Sequence, residues 1–80
     1  MQPQDIKQMI ELGLPGARAD VDGDGHHFEA VIVAQQFAGK TMLQQHQLVY
    51  GALGKKMGAE IHALSFRTLT PDEFQAQTGS

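Results

Sequence analysis

The stretch Phe37–Leu53, FAGKTMLQQHQLVYGAL, constrains the fold more than any other part of this 80-residue chain. On a helical wheel Met42, His46, Val49, Tyr50 and Leu53 fall at i, i+4, i+7, i+8 and i+11, with Leu43 and Met57 at the margins. One helix with one broad apolar face follows, and Met42 and Met57 read as core fillers. Leu48, with Ala52 beside it, is expected on nearly the opposite side. Thr41 is a candidate N-cap. Gly51, Gly54 and Gly58 each weaken a helix interior by about 1 kcal/mol relative to Ala, so the helix is expected to stop between Gly54 and Gly58. Such a helix must rest on something, and the segments flanking it read as strands of one sheet.

Ahead of it, Pro3 and the i, i+3, i+4 set Ile6, Met9, Ile10 predict a short amphipathic helix over about residues 3–12. Leu14-Pro15-Gly16 turns the chain. Ala17–Asp22 alternates as an outer, half-buried strand, and Asp22-Gly23-Asp24-Gly25 is a turn. His26–Ala34 carries Phe28, Ala30 and Ile32 on one side and Val31 and Val33 on the other, the pattern of a central strand. The two strands are expected to pair as an antiparallel hairpin. Beyond the long helix Glu60–Leu69 alternates again, and Thr70-Pro71-Asp72-Glu73 is a capping box for a brief terminal helix carrying Phe74. The predicted order is α–β–β–α–β–α.

About 25 residues and one helix separate the second and third strands, enough for a crossover between parallel neighbours. Parallel neighbours start at the same end of a sheet. His26 and His27 start one strand and His62 the other, so imidazoles 35 residues apart are expected at one edge. Two or three such groups can ligate a borderline metal or an iron–sulfur cluster, in their neutral form. The bland alternatives stand beside this one. Adjacent histidines in a turn are commonly exposed and inert, and His62, sharing a strand face with Leu64 and Phe66, reads more readily as a half-buried, hydrogen-bonded histidine than as a ligand. His46 reads as structural.

Composition narrows the function classes. There is no cysteine, so neither a disulfide nor a thiolate site can form within the chain, which suits a reducing cytosol. The net charge is −3 and the six Lys and Arg are scattered, with Lys55–Lys56 the nearest approach to a cluster. That argues against a phosphate-binding stripe. No apolar run approaches a membrane span, and the N-terminus has no signal-peptide pattern. Nucleophile, base and orienter are not found together, so an enzyme is not expected. A single domain over residues 1–80, cytoplasmic and without a membrane contact, is the reading.

The motifs HFEAVIVA (His27–Ala34), F-x-G-K (Phe37, Gly39, Lys40), L-x-x-H-x-L-V-Y (Leu43, His46, Leu48, Val49, Tyr50) and I-H-A-L-S-x-x-T-x-T-P-x-E-F (Ile61–Phe74) occur in this order. Together they resemble the BolA family over nearly the whole chain, and the short loop before His27 is similar to its acid-stress-associated branch. The resemblance implies an α+β, class II KH-like fold. Its sheet would be three-stranded and mixed, strands one and two antiparallel, two and three parallel, with helices covering one face. It also implies a non-enzymatic partner of monothiol glutaredoxins that shares a [2Fe–2S] cluster with glutaredoxin and glutathione, no cofactor being expected in the isolated chain. Carried over by position, the ligands would be His62 and a loop histidine, His26 or His27, the match not deciding between them. Lys40 and Leu48 would contribute docking surface.

Departures from the family pattern are two. Gln45 and Gln47 flank His46 where relatives often have Arg, and Phe74 stands where Trp is common. The alternative reading is a transcriptional regulator binding DNA or RNA. Gly51-Ala-Leu-Gly54 before Lys55-Lys56 matches GxxG by letter, but a working GxxG loop joins two helices, whereas this one sits at a fading helix end. A weak homodimer is left open.

Overall fold

The computed structural model describes residues 1–78; residues 79–80, part of the one-domain expectation, lie outside it. Three helices, α1 (Pro3–Gly13), α2 (Met42–Leu53) and α3 (Pro71–Thr78), accompany three strands, β1 (Arg18–Gly23), β2 (His27–Val33) and β3 (Ala63–Leu69). The element order is the expected one. The sheet order is β1-β2-β3, with β1 antiparallel and β3 parallel to the central β2.

Each helix starts where local chemistry dictates. The Thr41 side chain accepts from the Gln44 amide, and Gln44 returns a bond to the Thr41 N–H. Thr70 and Glu73 form the same reciprocal pair at α3. These boxes satisfy amides that a helix start would otherwise leave unpaired. α2 ends at Leu53 and a short 3-10 turn, Gly54–Lys56, follows. Gly51 and Gly54 therefore belong to a helix end and not to a loop between two helices.

The core lies between the sheet and the layer of α1 and α2. Ile6, Ile10, Ala19, Phe28, Ile32, Phe37, Val49, Leu53 and Ile61 are almost wholly buried there. Burying a side chain of the Val, Leu, Ile or Phe class contributes roughly 1.5–3 kcal/mol, so these side chains dominate the stability of a chain this small. β2 is central as expected. On the face away from the two helices Val31 and Val33 are only half-buried. Arg18 belongs to that face by register, and its guanidinium lies 5.7 Å from the centroid of the Phe74 ring. α3 thus reaches the outer face at one corner.

The orientation of α2 departs from the wheel. Val49 and Leu53 are buried, but Met42 is 61% and Tyr50 45% exposed, while Leu48 and Ala52 pack against the core. Met42 is therefore not a core filler, and Leu48 does not project away from the core. The cause is α1. Gly13, having no side chain, lets Ala52 come so close that a methyl group at position 13 would collide with it. Two supports, sheet and α1, draw the buried line toward Leu48, Val49, Ala52 and Leu53. Met42, His46 and Tyr50 are left along β3.

Candidate functional site

The parallel register pairs His27 with Ala63. His26 and His62 each stand one residue earlier, so all three histidines come to the same end of the sheet, and all three are exposed. The half-buried alternative for His62 does not hold. Regular pairing of β3 begins at Ala63, later than the expected Glu60, and His62 emerges just before it.

Two different local structures hold this rim. The hairpin turn is organised by Asp24, whose Oδ1 accepts the backbone N–H groups of His26 (2.8 Å) and His27 (2.9 Å). Those bonds, His27 first, hold the Asp24 carboxyl below the usual carboxylate range. Gly23 is required beside it, because a side chain there would run into the His27 carbonyl and the Phe28 ring. On the other side, the Lys56 carbonyl accepts from the amides of Ala59, Glu60 and Ile61, and Gly58 N–H donates to the Ile61 carbonyl. Ile61 is fully buried and ties this turn to the core. His62 leaves directly from that anchor.

His46 is elsewhere. It is half-buried on α2, its ring 4.7 Å from that of Phe66, and Tyr50 meets the same Phe66 edge-on at 5.5 Å. That contact explains His46 by packing. Lys40 is exposed in the turn before α2. Leu48 faces inward, and the exposed apolar residues of α2 are Met42, Leu43 and Tyr50. Among the described residues no three or more His, Cys, Asp or Glu side chains gather closely enough to hold a metal ion.

The outer face of the sheet carries a second feature that the strand patterns alone did not reveal. Asp20, Asp22 and Glu29 line a shallow depression of about 460 Å³ with Val31, Ser65 and Arg67. Alternation put Asp20 and Asp22 on one side of β1, but only the register brings Glu29 opposite Asp22. Of the cations, Lys7, Arg18 and Lys56 are engaged by Glu11, Asp20 and Glu60.

Residues 13–73 match the family model described as BolA-like protein. The chain belongs to the BolA family. Among BolA-related chains, the acid stress protein IbaG of Escherichia coli (strain K12) is 32% identical over 75 residues, covering 92% of this chain and 89% of that one. The DNA-binding transcriptional regulator BolA of Haemophilus influenzae is 38% identical over 55 residues, 69% of this chain and 53% of that one. The present chain thus spans about half the length of that relative. The solved structure of a BolA homologue from Coxiella burnetii is 53% identical and superposes with a TM-score of 0.86 over 94% of this chain and 97% of that one. The mixed three-stranded sheet is therefore the BolA architecture. The names of these relatives are those of a regulator, a stress protein and a homologue, not of enzymes. No helix among the described residues is long and apolar enough to cross a membrane.

Proposed function

We propose that this BolA-family chain is a non-enzymatic partner of a monothiol glutaredoxin, supplying imidazole ligands to a shared [2Fe–2S] cluster in cluster trafficking or in iron, redox or stress regulation. The observation that carries the reading is the parallel β2–β3 register, which leaves His26, His27 and His62 exposed at one end of the sheet. The donor set fits one side of a shared cluster. Imidazoles are suitable ligands, and with no complete metal-binding group in the described chain the remaining ligands would come from glutaredoxin cysteine and glutathione. Asp24 would orient the loop histidine and buried Ile61 would fix His62. Lys40 would lie on the docking surface.

The test is a mixture of the chain with cluster-loaded glutaredoxin and glutathione. His62→Ala should change the visible spectrum of the shared cluster and shorten its lifetime, and His26→Ala against His27→Ala identifies the loop ligand. An unaltered spectrum and lifetime for His62→Ala defeats the assignment. A second reading, DNA binding, is favoured by the name of the Haemophilus relative. The acidic outer face and the pairing of Lys7, Arg18 and Lys56 weigh against it. A steep loss of DNA affinity with added salt would support it, and no binding at low salt would end it.

A further inference from the structure

The two edges of the sheet are treated differently, and the difference points to a partner strand. In the hairpin, the Asp24 N–H donates to the His27 carbonyl at 3.2 Å. Hydrogen-bonded pairs therefore alternate as Asp24/His27, Asp22/Glu29, Asp20/Val31 and Arg18/Val33, and the backbone groups of Ala19 and Val21 point outward. At the outward position Ala19 both groups are occupied. Its N–H donates to Glu11 Oε2 at 3.1 Å, and its carbonyl accepts from Lys7 Nζ at 2.7 Å. The Lys7–Glu11 ion pair of α1, itself closed at 2.9 Å, stands where the next strand would be. Edge strands left open invite pairing with another chain, and this device closes one.

The β3 edge has no such device. Ala34 N–H donates to the Leu69 carbonyl, so Leu69, Arg67, Ser65 and Ala63 point their backbone groups at β2. Leu64, Phe66 and Thr68 point theirs outward, and no other described residue bonds to those backbone groups. Leu64 and Phe66 are half-buried, whereas Thr68 is buried, its hydroxyl on Met42 and Gln45. Along this same edge run Met42, His46 and Tyr50 of α2. Met42 lies beside Thr68, and His46 and Tyr50 lie against Phe66. The outer part of the apolar stripe read from the sequence is thus left uncovered beside the open strand.

We propose that this edge pairs with the β3 edge of a second copy of the chain, antiparallel and centred on Phe66, joining two sheets into one of six strands. The residues of the strand select both occupant and register. Centred on Phe66, Leu64 meets Thr68 of the second copy, Ser65 meets its Arg67, and the two Phe66 rings adjoin. The strand holds one charge, and this register sets it opposite a small serine. Behind that serine stands Glu29, paired with Ser65 in the register of β2 and β3, so each Arg67 is directed at a carboxylate of the other copy. Moving the centre to Arg67 would set the two guanidiniums opposite each other, which is unfavourable. Met42, His46 and Tyr50 of both copies would cover the Phe66 pair. One strand and one helical row form a small surface, so the dimer is weak and concentration-dependent. The histidine rims would lie at opposite ends of the joined sheets. The pairing does not depend on the cluster reading.

Sedimentation across a concentration series, with amide exchange followed by NMR, tests it on the full chain. The amides of Leu64 and Phe66 should gain protection as concentration rises, while that of Val21 should not change. Ser65→Arg sets two Arg–Arg oppositions in each dimer and should weaken association roughly tenfold. Adding Arg67→Glu should restore it. Both positions are exposed, so the monomer should keep its fold, which its amide spectrum reports. A chain that stays monomeric at every accessible concentration overturns the proposal. So does a dimer indifferent to Ser65→Arg, or edge amides protected only when glutaredoxin is added, which would give the edge to that partner.

Discussion

The two sides of the histidine rim are built by opposite means. His62 follows a hydrophobic anchor: Ile61 is fully buried, and the turn before it closes on the Lys56 carbonyl. His26 and His27 sit on a polar turn whose backbone is gathered by one exposed carboxylate, Asp24. Burial is worth kilocalories and responds little to pH, whereas an exposed carboxylate contributes little and titrates. One histidine is therefore fixed by the core, and the others are held by a contact that acid can release.

The contrast can be broken in order of size. Ile61→Ala should destabilise the whole chain by about 2–5 kcal/mol, the usual cost of removing a buried isoleucine side chain, read as a lowered urea midpoint. A loss well under that range would mean that the core does not fix His62. Gly23→Ala should cost about 1–3 kcal/mol, because the new methyl must displace backbone in an otherwise close-packed hairpin. Its chemical-shift changes should concentrate at His27 and Phe28, and a neutral substitution would show the turn to be looser than described. Asp24→Ala should shift the midpoint least, yet speed exchange of the His26 and His27 amides. Exchange unchanged by that substitution would remove Asp24 as the organiser.

The pH response sharpens the same comparison. Asp24 is held low by the His27 and His26 amides, and Glu11 by the Lys7 ammonium and then the Ala19 amide. A carboxyl whose folded pKa lies below its unfolded value stabilises the fold above the unfolded value, and that contribution fades as pH falls through the folded one. Both contributions should therefore be complete above the ordinary carboxylate values of 3.8 for Asp and 4.5 for Glu and fade at more acid pH. Acid titration followed by NMR should loosen the hairpin amides and the Ala19 amide while Ile61 stays protected. Simultaneous loss at all three would make the polar and apolar supports one unit. Glu11→Gln should blunt the acid response at Ala19 alone.

Much of this was legible in the residues. Period-2 and period-3.6 patterns, the Thr41 and Thr70 caps and the Asp-Gly turn are local, and local sterics and hydrogen bonding decide them. The parallel crossover followed from connection length, and it brought His62 to the hairpin end. The rotation of α2 was not legible. Its wheel has apolar residues on more than one side, and the buried side was chosen by α1 through the Gly13–Ala52 approach. Nor did any pattern say that Ile61 would be buried with His62 exposed, since a strand read from Glu60 puts His62 on a face with Leu64 and Phe66.

What the sequence determined by itself was the set of elements, their order and the end of the sheet at which the histidines stand, because each depends on neighbours a few residues apart or on the length of one connection. Tertiary structure alone decided which helix face is covered and which strand edge is closed. Those depend on groups far apart in sequence meeting at one place: Gly13 with Ala52, and Lys7 and Glu11 with Ala19.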